Sequence, residues 1–225
     1  MAKIRTLTQL QEALDAEMSW RIKEISDFKL ATKTQPATSR TFIRAGVALV
    51  YAHWEGFIKA ASERYLDYVD NKGHIYLELK TCFAVFGLKG KLTLLSGSRK
   101  AKRNIEALDF IFNEMKKPAR MSMRSAIDTE SNLTSKVFAN IAESIDISLS
   151  RYETKFNLID ESLVRRRNRV AHGEYLDLSA ADFLVLADEI LQMMRSYKTD
   201  IENAASLESY KRPTPPTEAV AQALA

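Results

Sequence analysis

The N-terminal part of the sequence carries apolar residues at steps of three or four, with charged residues between them. They are Leu7, Leu10, Leu14, Met18, Ile22, Ile25 and Phe28. This spacing is typical of the apolar face of one long amphipathic helix. Pro36 ends that helix, because proline cannot continue it and disfavours helical geometry in the preceding residue. A second long helix is predicted for residues 38–69, and its middle is apolar on nearly all sides, so we expect it to be central.

Three more helices are predicted further along the chain, around residues 105–112, 133–145 and 160–173. The first ends before Pro118, and Asn132 is the predicted N-cap of the second. Acidic residues at the start of the third and arginines at its end suit the helix dipole, and Gly173 ends it. A long final helix follows Ser179, which has the character of an N-cap. Residues 73–97 are expected to form shorter elements interrupted by Gly87, Gly90 and Gly97, and residues 146–157 a linker.

These patterns predict an all-α fold, a helical bundle of long antiparallel helices with extra short helices inserted in the middle. Seven glycines and five prolines in 225 residues leave the body without the turn signals of an all-β protein. Hydrophobic residues make up 46% of the chain, which is enough for a sizeable core. We therefore predict one domain over residues 1–210, followed by a mobile tail over residues 211–225.

The cysteine and histidine content limits the chemistry that the chain can support. One cysteine, Cys82, allows neither an internal disulfide nor a thiolate zinc cluster, which fits a reducing compartment. Three histidines without a metal-ligand spacing predict no catalytic metal, and no cofactor is expected. The N-terminus lacks the apolar core of a signal peptide, and the longest uncharged stretch is too short to cross a membrane. A cytoplasmic protein is expected.

Basic residues are concentrated between positions 89 and 103, where six cations occur without an acid. They are Lys89, Lys91, Arg99, Lys100, Lys102 and Arg103. Such a run is either a solvated, loop-rich surface or a track for phosphate groups. The formal net charge of +4 is too small to decide between the two.

The densest cluster of functional groups lies at residues 163–175, LVRRRNRVAHGEY. A purely structural explanation covers Arg165, Arg166 and Arg169, since cations suit a helix C-terminus and Arg165 can pair with Glu161 one turn earlier. Asn168 and His172 are four residues apart and share a helix face. Arg167 and His172 differ by about 7.5 Å along the axis and about 140° around it, so their side chains diverge within one helix. A two-fold homodimer is a simple way to bring both types into one site.

The six residues Arg167-Asn168-Arg169-Val170-Ala171-His172 resemble the signature of the HEPN superfamily of helical, mostly RNA-directed proteins. The surrounding segments LVYAHWEGFIKAA (49–61), TESNLTSKVFANI (129–141) and LIDESLVRRRNRVAHGEY (158–175) resemble a prokaryotic HEPN-like nuclease group used in toxin–antitoxin and defence systems. The resemblance covers most of residues 1–210.

The resemblance implies a metal-independent endoribonuclease, with Arg167, Asn168 and His172 as catalytic residues. His172 would carry a proton to or from the ribose and phosphate oxygens, Arg167 would stabilise charge on the phosphate, and Asn168 would hold His172 or the ribose. RNA-binding roles are expected for Arg165, Arg166, Lys100, Lys102 and Arg103. A cognate antitoxin or another regulatory protein would control the enzyme. The alternatives are an RNA- or nucleotide-binding module that does not cleave, and a helical scaffold that dimerises through the arginine helix.

Supporting roles are predicted for Glu55, His53 and Arg169. Glu55 lies in the apolar middle of the second helix, where an unpaired buried carboxylate is costly. A salt bridge with an arginine of the 165–169 segment is therefore expected, and the alternative is a direct catalytic role. His53 either supports the same site or is a core histidine.

Overall fold

The computed structural model describes residues 3–34, 39–97, 99–121 and 126–213. Over these residues it contains seven α-helices: α1 (Leu7–Thr34), α2 (Ser39–Asp70), α3 (Thr81–Gly97), α4 (Ala101–Glu114), α5 (Ser135–Ser144), α6 (Arg165–Ala171) and α7 (Ala180–Ser206). The described part of the chain forms no strand beyond two isolated bridges. The predicted all-α bundle with short helices in its middle is therefore confirmed. The predicted break at Pro36 and the predicted start of α2 at residue 38 lie outside the described residues.

The three long helices α1, α2 and α7 pack together and form the core. Helix α2 is central, as predicted, and its fully buried residues include Val47, Val50, Trp54, Phe57, Ile58 and Ala61. The backbone N–H of Ile4, just before α1, donates to Asp67 near the end of α2, so these two helices run antiparallel. Ser62 and Tyr197 share a buried hydrogen bond of 2.7 Å, one of the contacts that hold α7 against α2.

The short helix α6 is reached through a π-helical segment, Leu158–Val164, that continues directly into it. Asp160 in that segment accepts hydrogen bonds from the backbone N–H and the hydroxyl of Ser135, at the start of α5. Gly173 ends α6 with φ +73°, a conformation that favours glycine, and the Ser179 hydroxyl caps α7. Both predicted helix boundaries are confirmed. The predicted N-cap of α5 is wrong, because Thr134 rather than Asn132 accepts the hydrogen bond from Val137.

Helices α3 and α4 form a hairpin that packs mainly against itself. Helix α3 is continuous through Gly87 and Gly90, so the predicted interruptions are wrong there. Gly87 has a packing role, because a Cβ atom at this position would lie 2.1 Å from the Tyr76 hydroxyl oxygen. The helix predicted around residues 105–112 is confirmed as α4.

The end of the described chain is attached to the turn before α3. Tyr210 is fully buried, and its carbonyl accepts a hydrogen bond of 2.8 Å from the Lys80 N–H. The Arg212 side chain donates from Nε to the Leu79 carbonyl at 2.7 Å. The predicted tail therefore begins with bound residues, and its part from 214 to 225 lies outside the described residues. Among the described helices, none has the length and apolar character needed to cross a membrane.

Candidate functional site

The junction between α6 and α2 holds Arg167 in a defined position. The guanidinium carbon lies 3.9 Å from the centre of the Tyr51 ring, a cation–π contact with a buried tyrosine of α2. The Tyr51 hydroxyl accepts a hydrogen bond of 2.8 Å from the Leu133 N–H, which fixes the ring. Burial raises the pKa of the Tyr51 phenol, so the ring stays neutral beneath the arginine. Arg167 is half-exposed, and its Nη1 donates to the Asn168 side-chain oxygen at 2.9 Å.

Asn168 and His172 line one open groove along α6, as their four-residue spacing predicts. His172 is the C-cap residue that follows α6, and its backbone N–H donates to the Asn168 carbonyl at 2.9 Å. Its imidazole is exposed to solvent, and no acidic side chain of the described residues forms an ion pair with it. The ring can therefore meet a substrate that enters the groove.

The groove contains both signs of charge. Its lining includes three carboxylates as well as two arginines and His172: Asp160, Glu161, Arg165, Arg169, His172 and Glu174. Arg165 pairs with Glu161 at 2.7 Å, and both side chains are largely exposed. Arg169 donates to the Tyr175 carbonyl at 2.6 Å and lies 3.4 Å from Glu174. Exposed ion pairs contribute little to stability, so a phosphate can replace the carboxylate partner at low cost.

Arg166 is the arginine of this helix that forms no hydrogen bond or ion pair with any described residue. It is half-buried and does not line the groove with Asn168 and His172. Its role in RNA binding stays a prediction.

The structure does not contain the predicted salt bridge of Glu55. This residue is half-buried and forms no ion pair within the described residues, whereas the Tyr51 ring, one turn earlier on α2, contacts Arg167. Glu55 needs no cation as a partner, because its carboxylate retains part of its hydration.

His53 is placed away from α6. It is buried between α2 and α1, with its ring centre 5.1 Å from the centre of the Trp20 ring in a T-shaped contact and Nε2 3.1 Å from Glu24. Burial lowers the pKa of His53, which favours the neutral imidazole. His53 is therefore a core histidine that joins α1 to α2, and it does not support the groove.

The basic residues of the hairpin lie at a different place from the groove. Lys100 and Arg103 line a depression at the tip of the hairpin together with Arg99 and Leu94, and Lys102 is exposed on α4. Their predicted RNA contacts would therefore be made beyond the groove.

Two residues that the sequence reading missed help to position the motif. Tyr51 is the platform for Arg167, and Arg44 donates at 2.5 Å to the carbonyl of Glu174, which fastens the turn after α6 to α2. The tyrosine could have been noticed as a polar-tipped aromatic residue in the apolar middle of α2. Within the described residues, no group of three or more histidine, cysteine or acidic side chains is arranged to hold a metal ion.

The helical bundle and the arginine–asparagine–histidine helix define a HEPN-type domain. A family model described as RiboL-PSP-HEPN matches residues 16–203, and the chain belongs to this HEPN family. HEPN domains include ribonucleases and RNA-binding modules, and they commonly dimerise. No curated protein and no solved structure matches the chain.

Proposed function

We propose that the chain is a metal-independent endoribonuclease whose catalytic residues are Arg167, Asn168 and His172. One observation carries the proposal: Arg167 is fixed on Tyr51 and hydrogen-bonded to Asn168, which lines the same groove as His172. A guanidinium, an amide and an imidazole are thus linked along one short helix. These are the groups needed to stabilise a phosphate, orient a ribose and move a proton.

The reaction would begin with attack of a ribose 2′-hydroxyl on the adjacent phosphorus. His172 accepts the hydroxyl proton or donates a proton to the departing 5′-oxygen, and an imidazole serves either role near neutral pH. The bond from phosphorus to the 5′-oxygen breaks as the bond to the 2′-oxygen forms. The products are a 2′,3′-cyclic phosphate and a 5′-hydroxyl, and DNA is not cleaved because it lacks the attacking group.

Arg167 would stabilise the charge that builds on the phosphate oxygens. Its guanidinium lies over Tyr51 with Nε buried, and the residue as a whole is half-exposed, so the Nη groups are the ones available to a phosphate. A guanidinium held in place before the reaction stabilises the transition state without further reorganisation. Asn168 links this group to the groove.

A second copy of the chain would complete the site. Arg167 lies on the α2 side of α6 and His172 lies in the groove, so one chain presents the two groups in different directions. Two α6 helices facing each other across a two-fold axis would place the arginine of one chain beside the histidine of the other. The common dimerisation of HEPN domains supports this arrangement.

The cellular role that fits best is that of a toxin in a toxin–antitoxin pair or of a defence effector, controlled by an antitoxin or another regulatory protein. The family supports the ribonuclease part of this role, because it includes ribonucleases. Lys100, Lys102 and Arg103 would bind RNA flanking the cleaved bond.

The test is cleavage of mixed RNA by purified protein in the presence of a chelator, followed by mapping of the new 3′ ends. We expect cyclic phosphates in wild type, and a loss of about a hundredfold or more in His172→Ala and Arg167→Ala. His74→Ala is the matched control, because His74 lies before α3 and pairs with Glu78. Absence of cleavage by wild type, or equal activity in His172→Ala, would contradict the proposal.

The alternative is an RNA-binding module without cleavage. The unpaired Arg166 and the basic tip of the hairpin favour it, because they can hold phosphates outside the groove that contains His172. In that case wild type binds RNA without cutting it, and His172→Ala binds equally well.

A further inference from the structure

Helix α4 exposes a narrow apolar stripe along the hairpin. The stripe consists of four residues at steps of four, three and four: Ala101, Ile105, Leu108 and Phe112. The side chains of Ile105, Leu108 and Phe112 are 60%, 44% and 65% exposed, whereas Ala107 is the buried residue of this helix. Helix α3 therefore covers one side of α4 and leaves the stripe open.

A stripe of this kind indicates a surface that binds another molecule. Large apolar residues that are exposed singly are ordinary, but a contiguous apolar face marks an interaction surface. The four-three-four spacing is that of a coiled-coil seam, which packs against another helix with the same spacing. It differs from a typical RNA-binding surface, because three of its four residues, Ala101, Ile105 and Leu108, can neither stack on bases nor bind phosphate.

Two charged residues border the stripe on its other side, away from α3. Lys102 and Asp109 have opposite charges and lie two helical turns apart, about 10 Å along the axis, so they do not pair with each other. Both are exposed, and neither forms an ion pair with any described residue. If the seam residues are the a and d positions of a heptad, Lys102 and Asp109 both occupy position e. In an antiparallel pair of helices, position e of one helix lies beside position e of the other.

We infer that α4 packs antiparallel against α4 of a second copy of this chain, about a two-fold axis near the middle of the stripe. With Ile105 facing Leu108 of the second copy, Phe112 falls opposite Ala101, so a large side chain meets a small one. In the same register Lys102 lies beside Asp109 of the second copy. Symmetry repeats each contact, and the two hairpins form a four-helix bundle.

This interface is a separate conclusion from the proposed cleavage. It needs no catalytic residue, and it would stand if the chain only bound RNA. If the chain cleaves RNA, the interface would hold two copies together independently of α6.

The first experiment measures the mass of the purified full chain by size-exclusion chromatography with light scattering, over a range of concentrations. We expect Leu108→Glu to lower the mass, from a dimer to a monomer where α4 is the only contact between copies, and from a larger assembly to a dimer where the proposed α6 contact also forms. Leu94→Glu is the matched control, since Leu94 is 48% exposed on α3 and lies outside the stripe. Circular dichroism of each variant establishes that the helices are retained.

The second experiment exchanges the charges. Lys102→Glu and Asp109→Lys each place like charges together at two symmetric positions, so we expect the dimer dissociation constant to rise about tenfold or more in each. The double variant Lys102→Glu, Asp109→Lys restores opposite charges and should return to within about threefold of wild type. This rescue reports a contact between chains, because the two residues are too far apart to interact within one helix.

A monomeric wild type would overturn the inference. So would a mass that Leu108→Glu leaves unchanged, because the chains would then associate only through another surface such as α6. The inference would also be overturned if the dimer dissociation constant of the double variant rose as much as those of the single variants. RNA cleavage is measured on wild type and on Leu108→Glu, which keeps the proposed RNA contact Lys102, so a failure of the proposed activity is seen separately from a failure of this interface.

Discussion

The guanidinium carbon of Arg167 lies 3.9 Å from the centre of the Tyr51 ring, so the motif arginine of α6 is held by a buried aromatic residue of α2. The ring is itself anchored, because its hydroxyl accepts the Leu133 N–H. A chain of contacts thus runs from the loop before α5 through α2 to the motif helix. The position of Arg167 depends on tertiary structure that lies outside the motif.

Replacing Tyr51 should therefore change the activity of the motif. We expect Tyr51→Leu to lower the RNA cleavage rate about tenfold, because the lost cation–π contact leaves Arg167 poorly positioned. Tyr51→Phe keeps the ring and should remain within about threefold of wild type, at a cost of about 1 kcal/mol in stability from the unpaired Leu133 N–H. Single-turnover cleavage and thermal unfolding measure the two effects. Equal loss of activity in both variants would argue against positioning by the ring.

The ion pair between Arg165 and Glu161 should limit RNA binding in the groove. Glu161→Gln removes the competing carboxylate, so we expect RNA affinity to rise about two- to threefold and to depend more steeply on salt. Thermal stability should change little, because the pair is exposed. Asp27→Asn on α1 makes the same change in net charge away from the groove and serves as the control. Equal gains in both variants would mean that only the overall charge matters.

The long helices were predictable from the sequence because their apolar spacing is regular and extends over many turns. The start of α5 was not predictable, because it depends on a distant contact. The Tyr51 hydroxyl binds the Leu133 N–H outside the helix, and the cap falls on Thr134 rather than Asn132. The π-helical turn before α6 has no sequence signal of its own.

In the candidate site, the spacing of residues along the sequence correctly predicted which side chains share a face of α6. Asn168 and His172 line the same groove, as a four-residue separation requires. The predicted salt bridge between Glu55 and one of the arginines was wrong. Glu55 is only half-buried, and the Tyr51 ring is the α2 side chain that contacts Arg167. The catalytic assignment of Arg167, Asn168 and His172 stays a prediction.

His53 should make stability depend on pH. Its pKa in the folded chain lies below the ordinary value of 6.5, because burial disfavours the charged ring. Below pH 6.5 the unfolded chain therefore binds a proton more readily than the folded chain does, and stability falls as pH decreases. We expect the wild-type melting temperature to drop between pH 7.5 and pH 5, and the drop to be smaller in His53→Gln. An unchanged pH dependence in this variant would show that His53 is not responsible.

Two glycines of α3, Gly87 and Gly90, should respond in opposite ways to alanine. A Cβ atom at Gly87 would lie 2.1 Å from the Tyr76 hydroxyl oxygen and 2.7 Å from the Arg120 carbonyl oxygen, so the helix and the Tyr76 turn would have to separate. We expect Gly87→Ala to destabilise the fold by about 1–3 kcal/mol. Gly90 has no atom within 4 Å of the same position, so Gly90→Ala should stabilise the helix by about 0.5–1 kcal/mol. Urea unfolding of both variants measures the difference. Equal effects of the two substitutions would contradict the close packing of Gly87 under Tyr76, because helix propensity alone favours alanine at both positions.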